Sequence, residues 1–596
     1  MSFIIEERDA NGLFSHAYYD YAGSSSLENE INEKIHYQNA IPSASASSSS
    51  SPSSSPSSSM NSYFWKPSEI VQVSADGQKI DAITESVINH HHHHHHHYKP
   101  NFAAFSIGRQ TMSSRVLRLM QVLIRVFLPT GYPDSVTNDY TDYQIYDSIQ
   151  AFAFSINSLI ANRAVLTAVG VGDKEATSTS AMYITVIQET LGRLATILFA
   201  WKFGAHLEKE CKKYRFAADL VNNAAIVCDV MSPHFHVRPG FKLFFLCWSG
   251  MLRAICTVMA NGSRAALTQH FTDSEKGSIS DVSAKDASQE TVISLMGILA
   301  GSMIVPYLKT DKQIWTALTF LISIHLLTNY KAVRSVVMET LNRHRTNIIF
   351  SELMDAISPG MMESDLLKQS IILPTMICSP RLVSQKESIM EPDGVLRWGA
   401  TGPVMGWAKI GNLKSLLKIL PSTITIDQLL SIFANGSAGY VLWYETYHVP
   451  RQQQQQQRRM NMVTVRIAIV DRGHDDNQTS DEDYYHDSKN QQRPLRGADD
   501  TREVRAWVHA LYLARLVRSQ HVEASVMKGA IERDNIVRAL AMVNTIFGRQ
   551  GQVATALRAR NWDLAKGRSM IVTGPVPRLR VNVAAAAASA AAVATT

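Results

Sequence analysis

Apolar residues recur at helical spacing almost without interruption from residue 105 to residue 350. The stretch SRVLRLMQVLIRVFLP opens this region, with leucines and valines on one face and Arg115, Arg118 and Arg125 on the other; Pro129 stops it. Such a basic amphipathic helix suits either an anionic membrane surface or the outside of its own domain. A turn and a tyrosine-rich bridge then lead into AFAFSINSLIANRAVLTAVGVGD. Tyr132, Tyr140, Tyr143 and Tyr146 of this bridge suit either a membrane interface or the plug at the end of a bundle. The next helix, TSAMYITVIQETLGRLATILFAW, carries Glu189 and Arg193 four residues apart, spaced to pair on one face. In YRFAADLVNNAAIVCDVMSPHF the residues Arg215, Asp219, Asn222 and Asp229 fall on one side of the helical cylinder, surrounded by small and apolar residues. That strip is either a solvent-facing edge or a hydrogen-bonded network lining an internal site.

Three later segments approach membrane character. FKLFFLCWSGMLRAICTVMA is strongly apolar but holds Lys242 and Arg253. TVISLMGILAGSMIVPYL and QIWTALTFLISIHLLTNY lack formal charge apart from His325, and the connector KTDK makes them an antiparallel pair. Both sit at the short end of the roughly 20 residues a spanning helix needs. Gly297 and Gly301 in the first form a GxxxG pattern that lets two backbones approach. Lys331, Arg334, Arg343 and Arg345 follow at once, reading as a basic surface and as a cytoplasmic flank if the pair spans a membrane. The alternative is the central hairpin of a large soluble bundle.

Beyond Ser358, prolines and glycines interrupt the pattern, which predicts a linker over 356–402. A mixed domain over 403–575 follows: IDQLLSIF reads as a helix, YVLWYETYHV and MVTVRIAIV as strands, and EVRAWVHALYLARLV and NIVRALAMVNTIF as helices. A glutamine run and an acidic segment are loop insertions. Serine and histidine tracts place residues 1–104 among disordered segments, and the alanine-rich residues 576–596 read as a disordered tail. The expected fold is thus mainly α: a helical bundle over 105–355, embedded in a membrane in one reading, followed by a smaller α+β C-terminal domain.

The net charge of +6 over 596 residues is too modest to suggest nucleic acid as a partner. The acidic N-terminus has no hydrophobic core of a secretory signal, and five cysteines without a CxxC pair fit buried thiols in a reducing compartment. GVGVGD offers Gly170, Gly172 and Asp173 as a candidate anion loop, though a glycine turn followed by an N-capping Asp173 explains it more simply. His270 and His325 are lone histidines on apolar helices and read as satisfied core residues. No metal-site, catalytic-triad or P-loop spacing is found, so no catalytic residue, metal ligand or cofactor is expected. If an internal polar site exists, Glu189, Arg193, Asp219, Asn222 and Arg264 are its candidates.

The ordered blocks FLPTGYPDSVTNDYTDYQIYDSIQAF, RAVLTAVGVGDKEAT, LGRLATILFAW, FAADLVNN, RAALTQHF, QETVISLMGILAG and HLLTNYKAVRSVVMETLNRHR together resemble the root UV-B sensitive family. The likeness covers residues 105–350, with a weaker one through WVHALYLARL and RNWDLAKGR. It implies a link to vitamin B6 homeostasis and to UV-B responses of plant seedlings, and, from animal members, a membrane setting. The family has no established catalytic residues to carry over. Some plant members act in plastids, but the acidic first residues depart from a transit peptide, so that location is not carried over. The function this implies is a membrane-associated, non-enzymatic factor for solute handling or scaffolding, on an intracellular membrane, with lipid and a protein partner or family paralogue as contacts. A soluble adaptor that binds a partner through its basic helix is the alternative.

Overall fold

The computed structural model describes residues 4–8, 14–19, 126–171, 178–235, 239–273, 275–357, 373–433, 438–449, 460–471, 501–520, 528–547, 552–564, 571–572 and 578–582. All lie in one unit, Met1–Ala22 with Gln121–Thr596. The basic helix expected at 114–125, the serine and histidine tracts, Gly172 and Asp173 fall outside the described residues.

Six long helices make the bundle: α1 (Tyr140–Ala168), α2 (Ser178–Leu207), α3 (Cys211–Met231), α4 (Pro239–Phe271), α5 (Ile279–Ile304) and α6 (Asp311–Ser335). They alternate in direction. At one end, Asp139 before α1 meets His270 at the end of α4 and Val337 after α6. At the other, Arg163 near the end of α1 donates to the carbonyls of Val305 and Leu308 after α5, at 2.9 and 3.0 Å. Gly170, with φ +91°, ends α1 in the left-handed conformation that only glycine takes without strain. Thr310 and Gln313 form a reciprocal capping box that starts α6. Both α5 and α6 pack on α1, flanking it, rather than chiefly on each other as the sequence predicted. The glycine pattern has its expected use. A Cβ on Gly297 would lie 2.8 Å from the Phe152 carbonyl oxygen, and one on Gly301 would lie 2.6 Å from Leu159, so α5 can seat against α1 only with bare backbone there.

Tyr140 and Tyr143 are buried against Phe271, with ring centroids 5.6 and 5.0 Å apart. These two tyrosines therefore plug the end of the bundle, and Tyr132 and Tyr146 pack partly buried against the same cluster.

The second core belongs to an α/β module. Its helices are α7 (Arg343–Ala356), α8 (Leu373–Met376), α9 (Pro380–Lys386), α10 (Leu413–Leu417), α11 (Ile426–Ile432), α12 (Arg502–Ser519), α13 (Lys528–Phe547) and α14 (Gln552–Arg558). Its strands are β1 (Ile4–Arg8), β2 (Phe14–Tyr19), β3 (Val395–Arg397), β4 (Val404–Ile410), β5 (Tyr440–Val449), β6 (Met460–Asp471) and β7 (Arg578–Asn582). They form one sheet in the order β2-β1-β7-β6-β4-β3. β6 is its spine: β5 runs antiparallel along one edge, while β4 and then β7 run parallel along the other. The alternation of Val463, Val465, Ile467 and Ile469 puts all four in the core.

Four expectations change here. The N-terminal region contributes the β1–β2 hairpin, and β1 pairs with β7, which was expected to be disordered tail. The stretch expected as a linker holds α8, α9 and β3, packed against the module. Helix α7, assigned to the bundle by its sequence, is the centre of the second core: Ile348, Ile349, Phe350 and Leu353 are buried there, and Asn347 accepts from the Trp507 indole at 2.8 Å. Arg343 and Arg345 are consequently not a basic surface. Arg343 pairs with Asp393 at 2.5 Å and lies over the Trp507 ring, while Arg345 pairs with Glu387 at 2.9 Å. Arg334 is half-buried and donates to the carbonyls of Glu387 and Gln385; Lys331 stays exposed, over the Tyr146 ring.

Glu387 joins the module to the bundle. Its carboxylate lies between Arg345 of α7 and Lys212 of α3, at 2.9 and 3.0 Å, and Lys212 also donates to Ser384. Burial by itself would raise the Glu387 carboxyl, but the two cations outweigh it and hold it at about 2. Because the folded value lies below the ordinary 4.5, this stability is complete above about pH 4.5 and is lost as the pH falls toward about 2. Glu387→Gln should therefore cost about 3–5 kcal/mol at neutral pH, since two buried cations lose their counter-charge. The gap from wild type should narrow below about pH 4.5 in denaturant titrations; a gap that ignores pH would contradict this account. Gly297→Ala should cost about 1–3 kcal/mol by overpacking, whereas Gly204→Ala, whose new methyl meets nothing within 4 Å, should stabilise by about 1 kcal/mol in thermal unfolding.

Candidate functional site

Tyr143, Asp147, Gln150 and Asn157 fall within an arc of about 80° on α1, computed at about 100° per residue. Facing this stripe are Arg215, Asp219 and Asn223 on α3 and His325 and Asn329 on α6. These side chains join at the Asp219 carboxylate. It accepts from Gln150, from Asn329 and, at 3.0 Å, from Arg215. Arg215 reaches across to Asp147 at 2.8 Å and to the Tyr143 hydroxyl at 3.2 Å. Asn223 donates to the Asp219 backbone carbonyl and contacts His325 Nδ1, both at 2.8 Å. His325 stacks on Phe154, with Nε2 4.0 Å from Asp219. The network is internal: Asp219, Gln150, Asn223, His325 and Asn329 are all buried. Charge and hydrogen bonds at such a site are worth more than at the surface, and leaving either unmatched is correspondingly costly.

Two further charged clusters lie between helices. Arg264 on α4 pairs with Asp286 and Glu290 on α5, each at 2.6 Å, and Gln144 donates to Asp286 at 2.8 Å. Asp229, fully buried on α3, meets Arg253 and Ser249 of α4. Near the module, His270 contacts Asp139 at 2.9 Å beside a cavity of about 40 Å³ lined by Gln269, Met338, Thr340 and Asp563. That volume suits water rather than an organic ligand. Among the described residues, no group of three or more His, Cys, Asp or Glu is placed to hold a metal ion.

The structure places Asp219 in the bundle interior and Arg264, half-exposed, in the charged cluster between α4 and α5. Asn222 is half-buried, and its neighbour Asn223 takes the place in the network. Glu189 and Arg193 pair with each other at 3.4 Å on the outer face of α2, mostly exposed, and take no part. Gly170 is the terminator of α1. Sequence reasoning missed Asp147, Gln150, Asn223 and Asn329. The i, i+4, i+7 spacing of Tyr143, Asp147 and Gln150 in a mostly apolar helix was the available signal.

Outside, the bundle is apolar. Trp201 is 82% exposed, Tyr307 77%, Met303 71%, Phe320 65% and Leu198 62%. Among the described residues, three helices are long and apolar enough to cross a membrane: Tyr140–Ala168, Gly240–Phe271 and Ile279–Tyr307. Two were anticipated from the sequence. α6 was also anticipated and is not among them; α1 is, although its polar stripe masked it. Replacing Arg215 by Leu should destabilise the purified protein by about 3–5 kcal/mol in thermal unfolding, because Asp147 and Asp219 lose their shared cation. Asn222→Ala and the Glu189→Ala/Arg193→Ala pair should stay within about 0.5 kcal/mol. Equal losses in all three would remove the distinction drawn between network and surface.

Comparison with known proteins covers the bundle and α7. Residues 113–356 match a family model described as a vitamin B6 photo-protection and homoeostasis domain. RUS family member 1 of Dictyostelium discoideum is 39% identical over 232 residues, covering 38% of this chain and 43% of that protein. Protein root UVB sensitive 3 of Arabidopsis thaliana is 31% identical over 288 residues, covering 48% of this chain and 63% of the relative. The chain thus spans about half the length of the curated relatives it matches. No solved structure matches the chain. Six helices of the bundle lie within the matched stretch, as do Asp219, Arg215, Gln150 and Asn329, and over this stretch the chain carries a domain like that of the root UVB sensitive proteins.

Proposed function

We propose that helices α1–α6 form a membrane-embedded bundle whose charged interior handles a small polar solute, while the α/β module stands on one side of the bilayer. The observation that carries this reading is the inversion of polarity. Large apolar side chains on α2, α4, α5 and α6 face outward, while Asp147, Arg215, Asp219 and Asp229 lie between helices. A water-soluble bundle places these classes the other way round, and contiguous apolar surface on this scale marks contact with lipid or protein. Ionisable groups inside a membrane domain line solute or ion paths by default. The family description supports vitamin B6 compounds as the solute class. The soluble-adaptor reading has less support, because the large exposed side chains on the outside of the bundle are apolar.

Six alternating helices bring the start of α1 and the end of α6 to the module side of the bundle. Lys309, at the α5–α6 turn, and Glu275, between α4 and α5, are exposed at opposite ends. The protein should stay in the pellet when cell membranes are washed with alkaline carbonate. Cysteines introduced at these two positions should react with an impermeant maleimide from opposite faces of sealed vesicles. Release by carbonate, or labelling of both positions from one face, would reject the membrane reading.

A further inference from the structure

The donors around Asp219 leave behind a set of acceptors. A carboxylate only accepts hydrogen bonds, so the side-chain nitrogens of Gln150 and Asn329 must face it and their oxygens must point elsewhere. Asn223 is fixed in the same way, because its nitrogen donates to the Asp219 backbone carbonyl. The same nitrogen faces His325 Nδ1, which is therefore the unprotonated ring position, with the proton on Nε2 toward Asp219. The three oxygens, Gln150 Oε1, Asn223 Oδ1 and Asn329 Oδ1, have no hydrogen-bond partner in the protein. The residues that carry them are 5%, 4% and 0% exposed. Each oxygen shares a carbon with a nitrogen that contacts Asp219, two at its carboxylate and one at its backbone carbonyl, so all three lie in the shell around that residue. Two turns further along this face of α1, Asn157 is fully buried with neither side-chain polar atom partnered.

Charge points the same way. Arg215 is shared by Asp147 and Asp219, so this cluster carries one negative charge more than positive. Unbalanced charge in a low-dielectric interior is costly until a counter-charge arrives. Bound water would satisfy the oxygens but not the charge. Neutral amide oxygens with one carboxylate are a hard donor set for a single positive charge; calcium and magnesium favour several carboxylates or retained waters, and transition metals favour nitrogen and sulfur.

We infer that Asp219 and the side-chain oxygens of Gln150, Asn223 and Asn329 form a binding site for a monovalent alkali cation inside the bundle. The site ties α1, α3 and α6 together through one ion, and it requires no particular setting for the outer surface. The test uses the purified full-length chain, melted at constant ionic strength in sodium, potassium or choline chloride. Sodium or potassium should raise the melting temperature saturably, by about 5 °C at concentrations on the order of 100 times the dissociation constant, while choline should not. Asn329→Leu and Gln150→Leu should weaken direct binding of radioactive sodium or rubidium at least about tenfold, and Arg193→Ala should leave it unchanged. Equal melting in all three salts overturns the site even if no variant folds, as does undiminished binding by both folded variants. A chain that carbonate releases from membranes but that still binds the ion would reject the membrane reading and keep this one.

Discussion

A carboxylate buried between helices must be answered from every side, and Asp219 is answered from three. Gln150 comes from α1, Arg215 from its own helix one turn away, and Asn329 from α6. This requirement fixes more than a local geometry. Sliding or rotating any of these helices would strip donors from a buried anion, a loss worth several kcal/mol. The helices are otherwise held by apolar contacts and by the close seating of Gly297 and Gly301 on α1, which hold distance better than register. In a bundle whose outside is apolar, hydrophobic burial gives little direction to the packing, and internal polar contacts supply it.

The module is attached by the same physics in a different place. Lys212 extends from the start of α3 into a pocket made by Ser384 and Glu387, and Arg345 reaches the same carboxylate from α7. The helix that begins at Arg343 thus belongs to the family-matched stretch by sequence and to the second core by packing. This reconciles a domain match that ends at residue 356 with a structural unit in which the bundle and the module are continuous. A change in the bundle that shifts α3 acts on Glu387 and therefore on α7 and the sheet behind it.

Histidines illustrate how one residue type serves different ends. His509 is fully buried in the module, accepts from the Tyr440 hydroxyl at 3.2 Å and donates to the Ile536 carbonyl at 3.1 Å. Burial pushes its titration down to about 3, so it is a neutral structural bridge at any physiological pH. His325 also sits in a core, but its neighbours are Asn223 and Asp219. The chain around each histidine reads the same, as a lone imidazole among apolar residues.

Periodicity along the chain by itself determined the long helices, the strands β5 and β6, the GxxxG contact and the strip that carries Arg215 and Asp219, because these depend on spacing along one element. What lies across from an element is not encoded in its own spacing. Tertiary structure alone decided that Arg343 and Arg345 are buried, because their counter-charges Asp393 and Glu387 stand 50 and 42 positions away in a stretch that reads as a linker. It decided that Asn223 rather than Asn222 faces the interior, since adjacent helical residues differ by about 100° and only the position of α6 selects between them. It joined β1 to β7 from opposite ends of the chain. The sequence carried the polar residues of the bundle; the packing of α1, α3 and α6 made them neighbours, because a buried charge is stable only where several helices can answer it at once.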